Sequence, residues 1–215
     1  MSVFGNLQKG FVAAFFRRLF RVSVVNPENE PASGDVGGYV ACINHSSNWD
    51  PIVIGACMHR PLRYMAKSEL FKVPLLGPLI KLFGAYPVKR DSADLSSIKA
   101  TISILENGEV VGMYPQGHRA KGIHPEKVAP KSGAAMFAIK ARCGMLPITV
   151  ISKGYKVKAF RKTIVVFGEY VPYGRLEEMA GEERLSGVAL YKKITDEVYG
   201  EILENYAKHD SLNKK

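Results

Sequence analysis

Residues 39–58 read "YVACINHSSNWDPIVIGACM", and their reading decides the fold. The opening "YVACIN" is a short run of apolar, aromatic and β-branched residues, which predicts a buried strand. Asp50 followed by Pro51 predicts a helix through "PIVIGACM", with Asp at the cap and Pro in the first turn. Between them lie residues suited to a turn. The unit is strand, loop, helix.

Outward from that stretch the unit recurs. "LRYMA", "AYPVKR", "VVGMYP", "LPITVI" and "TIVVFG" read as strands. A helix over 91–107 has Asp91 or Ser92 as its cap and Leu95, Ile98, Ile102 and Leu105 on one face. Asn107-Gly108 ends it. A second helix is expected over 132–142, and Leu190, Ile194, Val198, Ile202 and Leu203 mark a final amphipathic one. "KSELFKVPLLGPLIKLFG" (67–84) supplies two short helical pieces broken by prolines. Strands alternating with helices predict an α/β fold: a single domain whose central, mostly parallel or mixed sheet is covered by helices. The 215 residues suffice for one well-buried core.

The N-terminal stretch "FVAAFFRRLFRVSVV" is too broken by Arg17, Arg18 and Arg21 for a membrane span, which needs roughly 20 mostly apolar residues. No small-residue cleavage site follows it. Drawn as a helix, it puts Phe4, Phe11, Val12, Phe15, Leu19 and Val22 on one side, with Lys9, Arg17 and Arg21 on the other. That pattern fits a helix lying in a membrane interface. It equally fits a helix packed on the domain with its arginines reaching to water. The expected division is an amphipathic interface helix over 1–25 and one domain over 26–215, the turn-rich "NPENEPASGDVGG" (26–38) beginning the latter.

A formal charge of +10 predicts anionic partners. Eleven basic residues fall between Gln116 and Lys162 against one acid, Glu126, so the cationic surface is local. No RNP-like or other nucleic-acid reader accompanies it, and no nucleic-acid partner is expected. The three cysteines lack CxxC spacing and predict neither a disulfide framework nor a zinc site. They read as small buried apolar residues in a reducing compartment. His59 and His124 lack metal-ligand spacing, and no metal is expected.

His45 follows a strand end, where side chains of α/β folds project into a crevice. An imidazole accepts a proton near neutral pH, and a carboxylate on its other nitrogen fixes the tautomer. Asp50 lies five residues on. Along one helix that spacing rotates the two side chains about 140° apart, so pairing requires "SSNW" to turn. From spacing alone the other reading stays open: Asp50 caps the next helix and His45 is an ordinary loop residue. No G-x-S-x-G elbow supplies a nucleophile, and Ser46 and Ser47 read as turn formers. A His/Asp pair without its own nucleophile suits a reaction in which the base activates a substrate hydroxyl.

"NHSSNWD" (44–50), "GAYPVKR" (84–90), "YPQGHRA" (114–120) and "PKSGAAMFAIKARCGMLPITV" (130–150) stand in the order of four motifs of the glycerolipid acyltransferases. Over roughly residues 38–152 the chain resembles the 1-acylglycerol-3-phosphate acyltransferase family, its first motif matching N-H-x-S-x-x-D at Asn44, His45, Ser47 and Asp50. The third motif, usually F-P-E-G-T-R-S, is matched at Pro115, Gly117 and Arg119. Gln116 replaces its glutamate, keeping shape without charge, and His118 replaces its threonine. Lys131 and Gly133 resemble a K-x-G element, and Pro147 the proline of the last motif.

The resemblance implies transfer of a fatty acyl group from acyl-CoA or acyl-carrier protein to the sn-2 hydroxyl of lysophosphatidate. The alternatives are another lysolipid or glycerol phosphate acceptor, or a non-catalytic basic module that binds anionic lipid. His45 looks like the general base and Asp50 like its orienting partner. Arg90, Arg119 and Lys131 look like the grip on the acceptor phosphate, since guanidinium groups hold phosphate oxygens bidentately. Backbone N–H groups around Gly117 are expected donors to the oxyanion, and those of Lys131 and Ser132 to an anion at a helix N-terminus. No cofactor is expected beyond the acyl donor as substrate. The expected location is cytoplasmic, peripheral on the inner face of the cell membrane, with the lipid surface and acyl-carrier protein as partners.

Overall fold

The computed structural model describes residues 10–88, 95–182 and 185–213. Seven strands form one sheet: β1 (Val22–Val25), β2 (Tyr39–Ile43), β3 (Leu62–Lys67), β4 (Ala85–Val88), β5 (Val110–Met113), β6 (Gly144–Ser152) and β7 (Thr163–Phe167). Their order is β1-β7-β6-β2-β5-β3-β4. All neighbours pair in parallel except β6 and β7. The helices are α1 (Gly10–Leu19), α2 (Asp50–Gly55), α3 (Leu76–Leu82), α4 (Leu95–Glu106), α5 (Gly133–Lys140), α6 (Tyr173–Glu182) and α7 (Gly187–His209).

Side chains alternate across β2. Val40 and Cys42 enter one core with Met145, Ile194 and Ile202, where α5, α6 and α7 cover the sheet. Tyr39, Ala41 and Ile43 enter the other with Val53 of α2, Leu146, Phe167 and Phe20. Both faces of β2 are therefore sealed, which is why its sequence is apolar throughout rather than alternating. Burial pushes the thiols of Cys57 and Cys143 up to about 12, and all three cysteines are buried and free. They pack as small apolar residues.

The chain leaves β2 through α2 towards β3, on the β5 side. It enters β6, on the other side of β2, through α5. The carboxyl end of β2 is thus a topological switch point, the place where open α/β sheets carry a crevice.

The N-terminus departs from the helix expected over 1–25. Helix α1 ends at Leu19, Arg21 takes a left-handed φ of 44°, and Val22–Val25 form edge strand β1 along β7. Residues 22–25 thus belong to the sheet, and the division expected after residue 25 falls behind a strand of the domain. Phe20 is fully buried, and burying one such ring is worth roughly 2 kcal/mol. Phe16 and Leu19 pack on the same core, while Phe11 and Phe15 face outward. Helix α6 was not foreseen. The caps expected at Asp91 or Ser92, and Phe4 and Lys9, lie outside the described residues. No helix among the described residues is long and apolar enough to cross a membrane.

Candidate active site

Beyond the end of β2 the chain is held in place by residues distant in sequence. Asn44 donates Nδ2–H to the carbonyl of Val150 (2.9 Å) and accepts that residue's N–H on Oδ1 (2.7 Å). It thereby continues the β2/β6 ladder with a side chain. Next, the N–H of His45 donates to Oε1 of buried Gln116 at 2.5 Å, and its carbonyl accepts the Ala120 N–H at 2.9 Å. The 114–120 loop after β5 therefore grips the His45 backbone on both sides. The residue in place of the family glutamate works here as an acceptor for the loop, a task that needs an oxygen and no charge.

The segment 46–49 turns instead of continuing a helix, and this brings His45 and Asp50 together. Nδ1 of His45 lies 2.8 Å from Oδ2 of Asp50. The same oxygen accepts the N–H of Ser46 (2.7 Å) and of Ser47 (2.8 Å). The Asp50 carboxylate is fully buried and satisfied by these donors. It does not cap α2: the cap residue is Trp49, with no side-chain cap bond. The capping role expected for Asp50 is thus replaced by a tie back to the preceding turn. Ser47 Oγ donates to the Val157 carbonyl at 3.2 Å, and Ser46 Oγ lies 3.4 Å from Asp50 Oδ1, so both serines hold the loop.

The imidazole face rests on Tyr114, ring centroids 3.9 Å apart and 23° from parallel. With Nδ1 committed to a carboxylate, the proton sits on Nδ1 and Nε2 carries the lone pair. Nε2 has no partner among the described residues, and the side chain remains 14% exposed. Sequence reasoning gave no role to Asn44 or Tyr114, although both stand inside quoted motifs; the contacts that define them cross 106 residues in one case and the stacking of a ring in the other.

The Tyr114 hydroxyl is buried without a hydrogen-bond partner among the described residues. Desolvation, with the nearby Asp50 charge adding to it, holds its pKa well above the usual tyrosine value. Tyr114→Phe removes an unpaired polar atom and keeps the stacked ring. We expect a gain of about 1 kcal/mol, read as a melting temperature raised by roughly 2–4 °C with turnover unchanged. A loss of turnover in that variant would give the hydroxyl a chemical role.

Gly117 takes a φ of +72°, and a Cβ there would meet Lys131 Cδ at 3.0 Å, so the Lys131 chain lies against the glycine backbone. The Gly117 N–H is spent on the Tyr114 carbonyl (2.9 Å) and the Lys131 N–H on the Pro115 carbonyl (2.7 Å). Of the donors expected around Gly117 and at Lys131 and Ser132, these two are taken, because the loop closes on itself with them. On this loop the N–H groups of His118 and Arg119 have no partner among the described residues. Arg119 is exposed and lines an open groove with Ser46, Ser47 and Trp49. His45, Asp50, Gly117, Arg119 and Lys131 thus gather around one loop pair at the switch point. Arg90 lies outside the described residues. Among the described residues, no group of three or more His, Cys, Asp or Glu is placed to hold a metal ion.

A family model described as Acyltransferase matches residues 21–151. The 1-acyl-sn-glycerol-3-phosphate acyltransferase of Bacillus subtilis (strain 168) is 33% identical over 180 residues, covering 81% of this chain and 87% of that protein. The enzyme of the same name from Helicobacter pylori (strain J99) is 28% identical over 183 residues, covering 77% and 76%. In fold, the chain is similar to the crystal structure of the 1-acyl-sn-glycerophosphate (LPA) acyltransferase, PlsC, from Thermotoga maritima. That match has a TM-score of 0.64 at 19% identity and covers 93% of this chain and 81% of the other. A family model spanning residues 21–151 and a relative 33% identical over 81% of the chain, around a hydrogen-bonded His/Asp pair at a switch point, lead to one assignment: the chain belongs to the 1-acyl-sn-glycerol-3-phosphate acyltransferase family.

Proposed function

We propose that the protein transfers a fatty acyl group from an acyl thioester to the sn-2 hydroxyl of 1-acylglycerol 3-phosphate, giving phosphatidate, with His45 as general base. The observation that carries this reading is the 2.8 Å contact between His45 Nδ1 and a buried Asp50 oxygen that two backbone N–H groups also hold. It fixes the tautomer that leaves Nε2 able to take a proton. As Nε2 removes the hydroxyl proton, the oxygen attacks the thioester carbonyl and a C–O bond forms. The tetrahedral oxyanion then collapses by breaking the C–S bond, and Nε2 returns the proton to the departing sulfur. Products are phosphatidate and a free thiol. With Ser46 and Ser47 spent on the loop, transfer is direct, without an acyl-enzyme.

The N–H groups of His118 and Arg119 are the oxyanion donors in this reading. Arg119 and Lys131, together with Arg90, grip the acceptor phosphate. Acyl-CoA and acyl-carrier protein both present phosphate to the cationic surface, and either serves as donor.

The reaction takes place on the inner face of the cell membrane. Support comes from where apolar side chains are exposed. Phe11 and Phe15 of α1, Leu75 before α3 and Phe160 between β6 and β7 are exposed, Leu75 at 88% and with φ +64°. Arg17, Arg18, Arg21 and Arg161 stand among them, exposed. Removing α1 whole would also strip Phe16 and Leu19 from the core they pack against, so the sharper test replaces Phe11 and Phe15 with serine. Binding to vesicles containing anionic lipid is expected to fall about tenfold or more, with melting temperature unchanged. Unchanged binding would remove α1 from the membrane contact.

The experiment for the reaction itself incubates pure protein with palmitoyl-CoA or acyl-carrier protein and a panel of acceptors, with products weighed by mass spectrometry. Phosphatidate from lysophosphatidate should dominate. Equal turnover of a monoacylglycerol lacking the phosphate would overturn the phosphate grip, and no product from any acceptor would favour a lipid-binding module without catalysis.

A further inference from the structure

The ten residues between β6 and β7, 153–162, carry Lys153, Lys156, Lys158, Arg161 and Lys162. This segment is fastened to the active-site loops from two sides. Ser47 Oγ donates to the Val157 carbonyl, and the Gly122 N–H donates to the Tyr155 carbonyl at 3.1 Å. Tyr155 takes a left-handed φ of 53°, a conformation costly for a non-glycine residue. The result is an open groove with Ser46, Ser47 and Trp49 on one wall and Lys156 and Lys158 on another, closed off by Arg119 and Lys121.

The Lys156 ammonium stands beside Lys121 on the groove lining. Its pKa is held below the usual lysine range, first through that contact, with some desolvation and the charges of Lys158 and Arg161 adding to it. Among the described residues none of Lys121, Lys156, Lys158 and Arg161 has a carboxylate partner; the ion pairs of the molecule lie elsewhere. Ammonium groups gathered without acids mark a place where a bound anion relieves the repulsion. In the reading above the acceptor phosphate already has Arg119, Lys131 and Arg90, and Lys131 is not among the residues that line this groove. This groove is a second cationic site.

We propose that the groove of Lys121, Lys156 and Lys158 binds a phosphate of the acyl donor, the phosphopantetheine phosphate common to coenzyme A and acyl-carrier protein, and so brings the thioester to His45 along the 46–49 loop. The inference rests on the acyl-transfer reading above. Ser46 and Ser47, which wall the groove, adjoin His45 in the chain, so a phosphate held there anchors an arm whose sulfur ends at the imidazole.

The test uses Lys121→Ala/Lys156→Ala in the full chain, leaving His45, Asp50, Arg119 and Lys131 intact. Titration calorimetry with coenzyme A and with holo-acyl-carrier protein should show binding of at least one weakened about tenfold or more. The KM for the corresponding acylated donor should rise as much, with kcat and the KM for lysophosphatidate within twofold. A phosphate-free thioester, S-acyl-N-acetylcysteamine, should be used equally by both proteins. Loss with both carriers assigns the shared phosphate, and loss with one identifies the source. Unchanged binding of both carriers overturns the proposal. So does a variant that loses affinity for anionic vesicles while keeping its donor KM, because the groove would then hold a lipid headgroup. Phosphatidate formed with unchanged donor binding would sink this site and leave the acyl-transfer reading standing; donor binding that depends on the lysines without any phosphatidate would do the reverse.

Discussion

His45→Ala is expected to lower kcat by a hundredfold or more, on the order of what a positioned general base contributes. The backbone of residue 45 keeps its N–H bond to Gln116 and its carbonyl bond from Ala120, so the loop has reason to stay in place. What is lost is the ring: its stacking on Tyr114, worth about 0.5–1.5 kcal/mol, and the acceptor at Nε2. The KM for lysophosphatidate should move little, because the proposed phosphate grip lies in Arg119 and Lys131. A pure preparation of this variant with near-normal turnover would end the proposed mechanism. A variant that fails to melt cooperatively would instead show that the ring is needed for the fold, and His45→Gln would then carry the test.

The second large effect falls on Asp50. In Asp50→Asn an amide must meet three donors that now converge on one carboxylate oxygen: the N–H groups of Ser46 and Ser47 and Nδ1 of His45. If the amide oxygen takes that place, the turn survives but the imidazolium formed in the reaction has lost its counter-charge. If the NH2 takes it, donor faces donor and the turn opens. Either way kcat falls by about 10²–10⁴ while KM stays within a few fold. Stability falls as well, by roughly 1–3 kcal/mol. A helix cap predicts a different outcome: stability nearly unchanged, because Asn caps a helix as well as Asp, and turnover untouched. Kinetics and thermal melts on the one variant separate the two readings that spacing leaves open.

Why spacing leaves them open is physical. The 140° objection assumes a helix from His45 to Asp50, and residues 44–47 have no helical backbone at all. Their path is set by Asn44 gripping Val150 and by Gln116 gripping His45, partners 106 and 71 residues away. Such contacts leave no periodicity in a single sequence. The strands from 39 to 167 were legible because both faces of a mostly parallel sheet are buried, which makes apolar runs. Edge strand β1 was not, because "RVSVV" continues a run already read as helical, and what breaks it is the left-handed turn at Arg21. A non-glycine residue in that conformation carries no compositional signal. Helix α6 hid for another reason: few of its residues are apolar, so its pattern is faint.

Around Gly117 the sequence pointed to the loop but not to which of its N–H groups are free. A glycine signals that backbone comes close to something, and here it is the Lys131 side chain that lies against it. The N–H groups of Gly117 and Lys131 close the loop onto Tyr114 and Pro115. Turn hydrogen bonding of that kind depends on dihedral angles that residue types alone do not dictate. The cationic stretch 116–162 was plain as a charge count. That Lys131 lies against Gly117 while Lys121 and Lys156 line a groove of their own required coordinates.

The central claim is that the acyl group passes straight from sulfur to the lipid oxygen under the pull of one imidazole. Acid-quenched single-turnover reactions, with donor and with or without lysophosphatidate, measure it most directly when thiol, phosphatidate and intact protein mass are followed together. The account predicts thiol and phosphatidate appearing in equal amounts at equal rates, and no thiol release or added mass when the acceptor is left out. Thiol released without acceptor, with the acyl mass found on the protein, would contradict it.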